Sequence, residues 1–188
     1  MLKVAWPNPG IYLNSIKQVV SALCGLLLIS ITAIGTAAVK ARFSDGPTTL
    51  FSGGALTSGR MMLEPEPDWR FTDEIETIEL QLINPSTSRR IWVVHYNDNI
   101  YAESGKLNSF LGQIWYSWPL HAVEDGRGIV RIDSKRYPRQ LVRIQSGQIL
   151  DGITEAFRKK YEDSITRKDV EEGAVWVFEL APRIEGSH

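Results

Sequence analysis

The residue types that most often carry catalysis are few in this 188-residue chain, and they form no known catalytic pattern. Its histidines, His95, His121 and His188, have neither the H-E-x-x-H spacing nor any other spacing of metal ligands. No G-x-S-x-G segment supplies a serine nucleophile, and the single cysteine, Cys24, lies inside an apolar run. The sequence therefore predicts no metal site, and it contains no motif that indicates a hydrolase.

One glycine-rich segment has the outline of a phosphate-binding loop. Gly54 and Gly59 have the G-x-x-x-x-G spacing, and Arg60 follows them. Such a loop needs Lys and then Ser or Thr to reach phosphate and Mg²⁺, whereas Arg60 and Met61 stand at these positions. No strand pattern precedes the segment. The Gly, Ser, Thr and Pro content of residues 43–68 instead favours a linker.

The longest apolar stretch lies near the N-terminus. The run from Val19 to Val39 carries no charge, and it is long enough to cross a bilayer as a helix. Its hydroxyl and small residues are tolerated in a membrane helix because hydroxyls can bond carbonyls one turn earlier. We therefore predict a membrane anchor over residues 1–42, with the span at about 19–39, and a single-pass membrane protein.

Orientation and processing of this anchor stay open. Lys3, Lys17 and the α-amino group precede the run and Lys40 and Arg42 follow it, so the positive-inside comparison is nearly a tie. Small residues from Gly35 to Ala38 would also suit a signal-peptide cleavage site. The length of the uncharged run exceeds the apolar region usual for a signal peptide, which favours an uncleaved anchor.

Charge separates the anchor from the remainder of the chain. Residues 1–42 hold basic residues and no acidic ones, whereas the remainder holds all 22 acidic residues and is net anionic. A nucleic-acid-binding domain normally shows a basic patch or stripe, so we predict no nucleic-acid partner. The remainder is long enough for one core. We place a linker at 43–68, one domain at 69–182 and a tail at 183–188.

Residues 69–182 are patterned as short strands with one helix. Apolar and polar residues alternate in 77–82, and apolar or aromatic residues dominate 91–96 and 100–103. Similar strand patterns occupy 128–133, 137–144 and 174–180. Asn97-Asp98-Asn99 and the segment from Asp133 to Arg136 are turn signals. Apolar residues at helical spacing predict an amphipathic helix over 149–161. Six short antiparallel strands and one helix predict a small closed barrel with the helix packed against it.

Several segments of this domain carry a resemblance to a known family. They are Pro65–Trp69, Thr77–Leu80, Ser88–Val94, Asn99–Tyr101, Trp118 and Ile129–Tyr137. In pattern they resemble the split-barrel flavoproteins, the relatives of pyridoxamine-phosphate oxidase and of deazaflavin-dependent nitro- and quinone reductases. The resemblance implies a six-stranded antiparallel split barrel, usually a homodimer, that binds FMN or the deazaflavin F420 between subunits. It also implies hydride transfer to a small or quinone-like acceptor, with the flavin supplying the redox chemistry.

The same resemblance assigns cofactor-binding residues by position. Ser88, Arg89 and Arg90 enter the second strand and would face the cofactor phosphate. Trp118 matches the family tryptophan, and His121 stands three residues after it. Lys135 and Arg136 match a basic turn of the family. The glycine common before the second strand in relatives is missing here, and His121 stands where asparagine is common.

Simpler interpretations accompany each assignment. Arg89 and Arg90 could pair with Glu79 or Asp98 across the sheet. The aromatic patch of Trp115, Tyr116 and Trp118 could stack on a flavin, cap a barrel end or bury a dimer seam. Two functions from different classes follow: a membrane-tethered flavin-dependent oxidoreductase, and a non-catalytic membrane-anchored barrel that serves as a binding or assembly module.

Overall fold

The computed structural model describes residues 9–48, 51–63, 65–105 and 117–183. The chain divides into two compact units, Met1–Lys40 and Ala41–His188. The helices are α1 (Pro9–Arg42), a 3-10 helix (Trp69–Glu74), α2 (Trp118–Glu124), α3 (Ile149–Tyr161) and α4 (Arg167–Glu171). The strands are β1 (Arg60–Met61), β2 (Thr77–Leu82), β3 (Thr87–Trp92), β4 (Val94–Tyr96), β5 (Asn99–Glu103), β6 (Arg127–Ile132), β7 (Lys135–Ile144) and β8 (Val177–Pro182).

Helix α1 contains the stretch Ile16–Arg42, whose 27 residues are long and apolar enough to cross a membrane. At 1.5 Å per residue this stretch spans about 40 Å. Its consecutive residues Leu26, Leu27, Leu28 and Ile29 are all exposed, so apolar side chains cover every side of the helix. The hydroxyls of Ser30, Thr32 and Thr36 each donate to the carbonyl four residues earlier, as the sequence predicts. A signal sequence near the N-terminus can meet the same criteria of length and composition.

The strands form one curled sheet, which is a half-barrel. Their order is β3-β2-β6-β7-β8-β5-β4, and β1 adds to β7 in parallel. The two outermost strands, β3 and β4, are consecutive along the chain with only Val93 between them. The chain therefore leaves one edge of the sheet at Val93 and joins the opposite edge, which requires the sheet to curl. The predicted barrel-like, mainly β fold is confirmed at this level.

The predicted strand over 91–96 differs from the structure at Val93, where it breaks into β3 and β4. The backbone groups of Val93 leave the ladder and are bonded by helix α3 instead. Its N–H donates to the Tyr161 hydroxyl oxygen (3.1 Å), and its carbonyl accepts from Tyr161 (2.9 Å) and from the Lys160 ammonium (2.7 Å). Because Lys160 bonds the strands here, it does not share the exposed face of the helix with Arg158 and Lys159.

The sheet contains eight strands in the described residues instead of the predicted six. The additional ones arise from the break at Val93 and from the short strand β1. Strand β1 pairs with Lys135 and Arg136 on β7, and β8 pairs with β7 from Arg139 onward. Pro138, which has no N–H to donate, lies between these two partners. The last strand begins at Val177, later than the predicted 174.

Two apolar clusters form the core of the half-barrel. The first lies on the inner face of the sheet and includes Ile78, Leu80, Val130, Trp118 and Phe178. The second lies where helix α3 packs on β4, β5 and β8. It comprises Val94, Tyr101, Leu150, Ile153, Phe157, Ile165, Val170, Val175 and Val177. Alternation along β2 buries Ile78, Leu80 and Leu82 on the inner face, as the sequence predicts.

The described residues of the predicted linker are part of the folded unit. Segment Ser44–Gly59, which we call the strap, lies on the outer face of the sheet; its residues 49 and 50 are not described. Leu56 in the strap is only 2% exposed. The structural boundary falls between Lys40 and Ala41, whereas the sequence places it after residue 42 and then predicts a linker. Composition suggested flexibility here, but hydrogen bonds from the sheet hold the segment in place.

Candidate functional site

A row of charged side chains crosses the outer face of the sheet. Arg90 on β3 lies opposite Glu79 on β2, and Glu79 also lies opposite Arg131 on β6. Arg131 in turn lies opposite Arg136 on β7. Cross-strand partners point to the same face, so these four side chains share one surface. Three strand spacings, about 14 Å in all, separate the Cα atoms of Arg90 and Arg136.

Two of the predicted cofactor-binding residues hold the strap. The backbone of Ser88 exchanges hydrogen bonds with Gly53 (2.8 and 3.1 Å), and its hydroxyl donates to the Gly54 carbonyl (2.6 Å). Arg136 donates to the carbonyls of Leu56 (2.7 Å) and Gly59 (3.0 Å). Ser88 is fully buried, and the guanidinium of Arg136 already has backbone partners. Both residues therefore have a structural role that the sequence did not predict.

Arg131 is the centre of a charged cluster that ties the strap to the sheet. Its guanidinium donates to Glu79 (2.5 Å), to Asp45 (2.8 Å) and to the Ser58 hydroxyl (2.9 Å). Burial alone would raise the pKa of Asp45, but hydrogen bonds from Ser58, Thr57 and Arg131 hold it well below its ordinary value. Asp45 and Arg131 thus keep their charges near neutral pH.

An open cleft of about 470 Å³ lies beside this cluster. It contains carboxylates, guanidinium groups and hydroxyls around a small apolar floor. Its lining residues are Ser58, Ile75, Thr77, Glu79, Arg90, Arg131, Ile132, Asp133 and Ser134. Such a surface can hydrogen-bond a polar ligand along its length. The lining of this cleft contains no histidine, cysteine or lysine.

Arg90 is the cation of this cleft that stays available. It is exposed, and it makes no hydrogen bond or ion pair with any described residue. The carboxylate of its cross-strand neighbour Glu79 binds Arg131 instead. Asp133, at the other end of the lining, likewise makes no ion pair with a described residue. The cleft therefore offers one unpaired positive group and one unpaired negative group to a ligand.

Arg89 lies on the other face of β3. Its cross-strand partner is Leu80, a fully buried core residue. Burial, together with the nearby charge of Arg42, lowers the pKa of Arg89 to about 10. The Nε atom of Arg89 is buried and has no hydrogen-bond partner among the described residues. Arg89 and Arg90, predicted as one phosphate-facing pair, therefore face different environments.

The remaining predicted residues do not join the cleft lining. Trp118 is 2% exposed and packs against Phe178 in the core, with ring centroids 5.2 Å apart. It starts helix α2 instead of lying on a ligand-facing surface. His121 lies on the same helix, with its Nδ1 3.7 Å from the Glu124 carboxylate. Lys135 is exposed and follows Ser134 of the lining. Trp115 and Tyr116 fall outside the described residues.

The glycine segment with the outline of a phosphate-binding loop belongs to the strap. Carbonyl groups of Gly54 and Gly59 accept hydrogen bonds from the side chains of Ser88 and Arg136. A phosphate loop presents a series of N–H groups to its ligand. Here the Gly54 N–H donates to the Ser44 carbonyl (3.1 Å) within the same unit. The segment is therefore held as a structural loop.

Sequence reasoning missed Asp45, Glu79 and Arg131 as a charged cluster. The sequence allows Glu79 to pair with Arg90. Whether Glu79 binds Arg90 or Arg131 depends on the order of strands in the sheet. Asp45 lies 86 positions before Arg131, and no local pattern links them. The single available signal was the polar alternation of β2, which places Glu79 on the outer face.

Comparison with known protein families, with curated proteins and with solved structures finds no match to this chain. The resemblance to split-barrel flavoproteins therefore stays a prediction from the sequence.

Proposed function

We propose that this chain is a single-pass membrane protein whose half-barrel is a non-catalytic binding or assembly module. The ligand-binding surface is the outer cleft, and its partner is a polar segment that carries a carboxylate. Arg90 would bind the carboxylate as a bidentate fork, and Asp133 would accept from a donor on the same segment. The observation that carries this proposal is the unpaired guanidinium of Arg90 beside a preformed polar cleft.

The surrounding charges support a ligand of this kind. Glu79 and Asp45 already neutralise the charge of Arg131, so Arg131 attracts an anionic ligand only weakly. Its main effect is to hold the side chains around the cleft in place. Hydroxyl groups of Ser58, Thr77 and Ser134 supply further donors and acceptors along the cleft. The strap and the sheet hold the lining in place before a ligand arrives, which lowers the entropic cost of binding.

The flavin-dependent oxidoreductase is the second candidate, and one observation favours it. Arg90 lines the cleft and Lys135 directly follows Ser134, so two residues of the predicted cofactor site lie at one surface. In this proposal the fold is a split barrel, and FMN or F420 would lie along the outer face, shared with a second copy of the chain in a homodimer. The roles of Ser88, Arg136 and Trp118 inside the fold weaken it, because these groups already have protein partners.

The two candidates are separated by purifying the full chain in dodecyl maltoside. Absorption bands of a flavin or deazaflavin, or uptake of added FMN or F420, would favour the oxidoreductase and count against the binding module. A colourless protein that takes up neither cofactor is the result we expect. The full chain is used because a shorter chain that begins at residue 62 would lack the strap and β1.

The binding proposal has its own test in the membrane. A photo-crosslinking residue placed at Thr77, which lines the cleft, should form a discrete adduct with a partner. Replacing Arg90 by Glu should abolish that adduct, whereas Glu74→Gln, at an exposed position outside the lining, should leave it unchanged. An adduct that persists at full yield with Arg90→Glu would contradict recognition by Arg90.

A further inference from the structure

A second charged feature lies on the side of β3 that faces away from the cleft. Arg89 alternates with Arg90 along the strand, so the two side chains leave it in opposite directions. Arg89 lies in register with Leu80, which lies in register with Val130, and both of these are fully buried. The guanidinium of Arg89 is thus partly withdrawn from water at the edge of an apolar core.

No carboxylate compensates this cation among the described residues. Arg89 forms no ion pair or hydrogen bond there, and its Nε atom is buried without a partner. The charge that acts on it is that of Arg42, which is repulsive and lowers its pKa further below the value set by burial. Arg89 still carries its proton at neutral pH. A buried cation without a counter-ion is costly, so this arrangement favours an added anion.

Arg42 belongs to the same feature and ends helix α1. Its guanidinium donates to the carbonyls of Ser86 (3.0 Å) and Gly53 (3.4 Å), which hold it in place without neutralising it. Arg42 lies three residues beyond Val39, the last residue of the uncharged run, or about 4.5 Å along the helix axis. The next residue, Phe43, is 86% exposed.

These positions indicate where the anion comes from. If α1 crosses the bilayer, a residue just beyond its apolar run lies at the level of the lipid headgroups. The exposed apolar ring of Phe43 would be favoured at the boundary between headgroups and acyl chains. Phospholipid headgroups place phosphate oxygens at the same depth. Guanidinium groups bind such oxygens through paired hydrogen bonds.

We infer that Arg42 and Arg89 together hold the phosphate group of a membrane phospholipid at the edge of β3. This site is separate from the cleft of Arg90, and it depends on α1 lying in a membrane, not on the nature of the cleft ligand. It would attach the half-barrel to the bilayer surface at a second point besides the helix. Loss of cleft binding would leave this site intact, whereas loss of the membrane helix would remove both the lipid site and the membrane part of the proposed function.

The test uses the full chain in dodecyl maltoside, a detergent whose headgroup has no phosphate. Dioleoylphosphatidylglycerol is added in one arm and inorganic phosphate in the other. Bound lipid is counted by native mass spectrometry, and thermal unfolding is followed by tryptophan fluorescence. The variants are Arg89→Gln and Arg42→Gln. Arg90→Gln is the matched control, because it removes the same charge from the adjacent position on the opposite face.

We expect wild type and Arg90→Gln to retain lipid with equal affinity, and Arg89→Gln and Arg42→Gln to bind it at least about tenfold more weakly. Lipid should raise the unfolding temperature of wild type more than inorganic phosphate does. Without lipid, Arg89→Gln should be at least as stable as wild type, because an uncompensated cation has been removed. Equal lipid affinity in wild type and Arg89→Gln would overturn the inference. Equal stabilisation by inorganic phosphate would overturn the assignment to a lipid.

Discussion

Individual charged residues in this half-barrel mostly serve the fold. Arg131 and Arg136 bond the strap, and Arg139, only 2% exposed, pairs with Glu66 (3.0 Å) and lies over the Trp69 ring. Arginine suits this use because its guanidinium has several fixed donors and is weakly hydrated. Arg89 and Arg90 differ from these three residues, because neither makes a hydrogen bond or an ion pair with a described residue, and they carry the two binding proposals.

Glu103 is a buried carboxyl whose ionisation should control stability. It is 8% exposed, and burial raises its pKa to about 7 despite a hydrogen bond from the Gly105 amide. The folded chain therefore holds this proton more tightly than the unfolded chain, whose carboxyl has a pKa near 4.5. The stabilisation is fully present below about pH 4.5 and is lost as pH rises through about 7.

Glu103→Gln should remove this pH dependence, because the amide stays neutral. The free energy of unfolding of wild type should fall relative to the variant between pH 4.5 and pH 8, by up to about 3 kcal/mol. Urea unfolding of the full chain in maltoside micelles measures the difference. The exposed Glu74→Gln serves as a control and should follow wild type. Parallel curves for wild type and Glu103→Gln would contradict a buried, protonated Glu103.

At the scale of elements, the bend at Val93 depends on the last turn of helix α3. Tyr161 supplies the hydroxyl that bonds both backbone groups of Val93, and its ring stacks on Trp92 with centroids 4.6 Å apart. Burial raises the pKa of Tyr161 to about 12, so the hydroxyl keeps its proton at neutral pH. The helix thus bonds the two polar groups of the half-barrel that the strand break leaves without ladder partners.

Tyr161→Phe should leave the ring in place and remove only the hydroxyl, which bonds Val93 and lies 2.7 Å from the Glu76 carbonyl oxygen as well. The Val93 N–H would lose its partner, whereas the Val93 carbonyl would keep the Lys160 ammonium, so we expect a loss of about 1–3 kcal/mol in the free energy of unfolding. Chemical denaturation measures it. Tyr96→Phe is the control, because the Tyr96 hydroxyl makes no hydrogen bond with a described residue. If Tyr161→Phe is as stable as Tyr96→Phe, water replaces the hydrogen bonds that the Tyr161 hydroxyl makes with the backbone of Val93.

The strap offers a second test at this scale. A methyl group added at Gly53 would lie 1.9 Å from the Gly46 carbonyl oxygen, so the backbone of the strap would have to move. Gly53→Ala should separate the strap from Ser88 and destabilise the fold by more than about 2 kcal/mol. Hydrogen exchange of residues 51–61 should accelerate relative to the exposed control Ser52→Ala. Unchanged exchange would mean that the strap is not held through Gly53.

At the scale of the whole molecule, we expect α1 to stay uncleaved and to hold the chain in the membrane. Replacing Leu27 and Ile31 by Arg should remove the chain from the alkaline-carbonate membrane pellet, because each arginine at the helix centre costs about 2.5–3.5 kcal/mol of insertion. The matched change of both residues to Val should leave the chain in the pellet. N-terminal sequencing of the mature wild-type chain should find α1 intact. A chain that begins near Ala38 would identify a cleaved signal sequence instead.

Local patterns in the sequence predicted the elements whose causes are local. Uncharged length predicted α1, alternation predicted β2, and helical spacing predicted α3 over the residues it occupies. Asn97 with Asp98, and Asp133 with Ser134, all have positive φ and form the two predicted turns. Each of these outcomes depends on neighbours within a few positions of the residue concerned.

Tertiary structure alone decided the surroundings of the charged residues. Strand order brought Glu79 between Arg90 and Arg131, and the strap took Ser88 and Arg136 as its anchors. Trp118 entered the core, and Arg89 came to lie near Arg42 without a carboxylate. A residue's local pattern specifies which face of an element it occupies. It does not specify which distant segment covers that face, because burial and pairing energies arise only when the elements pack together.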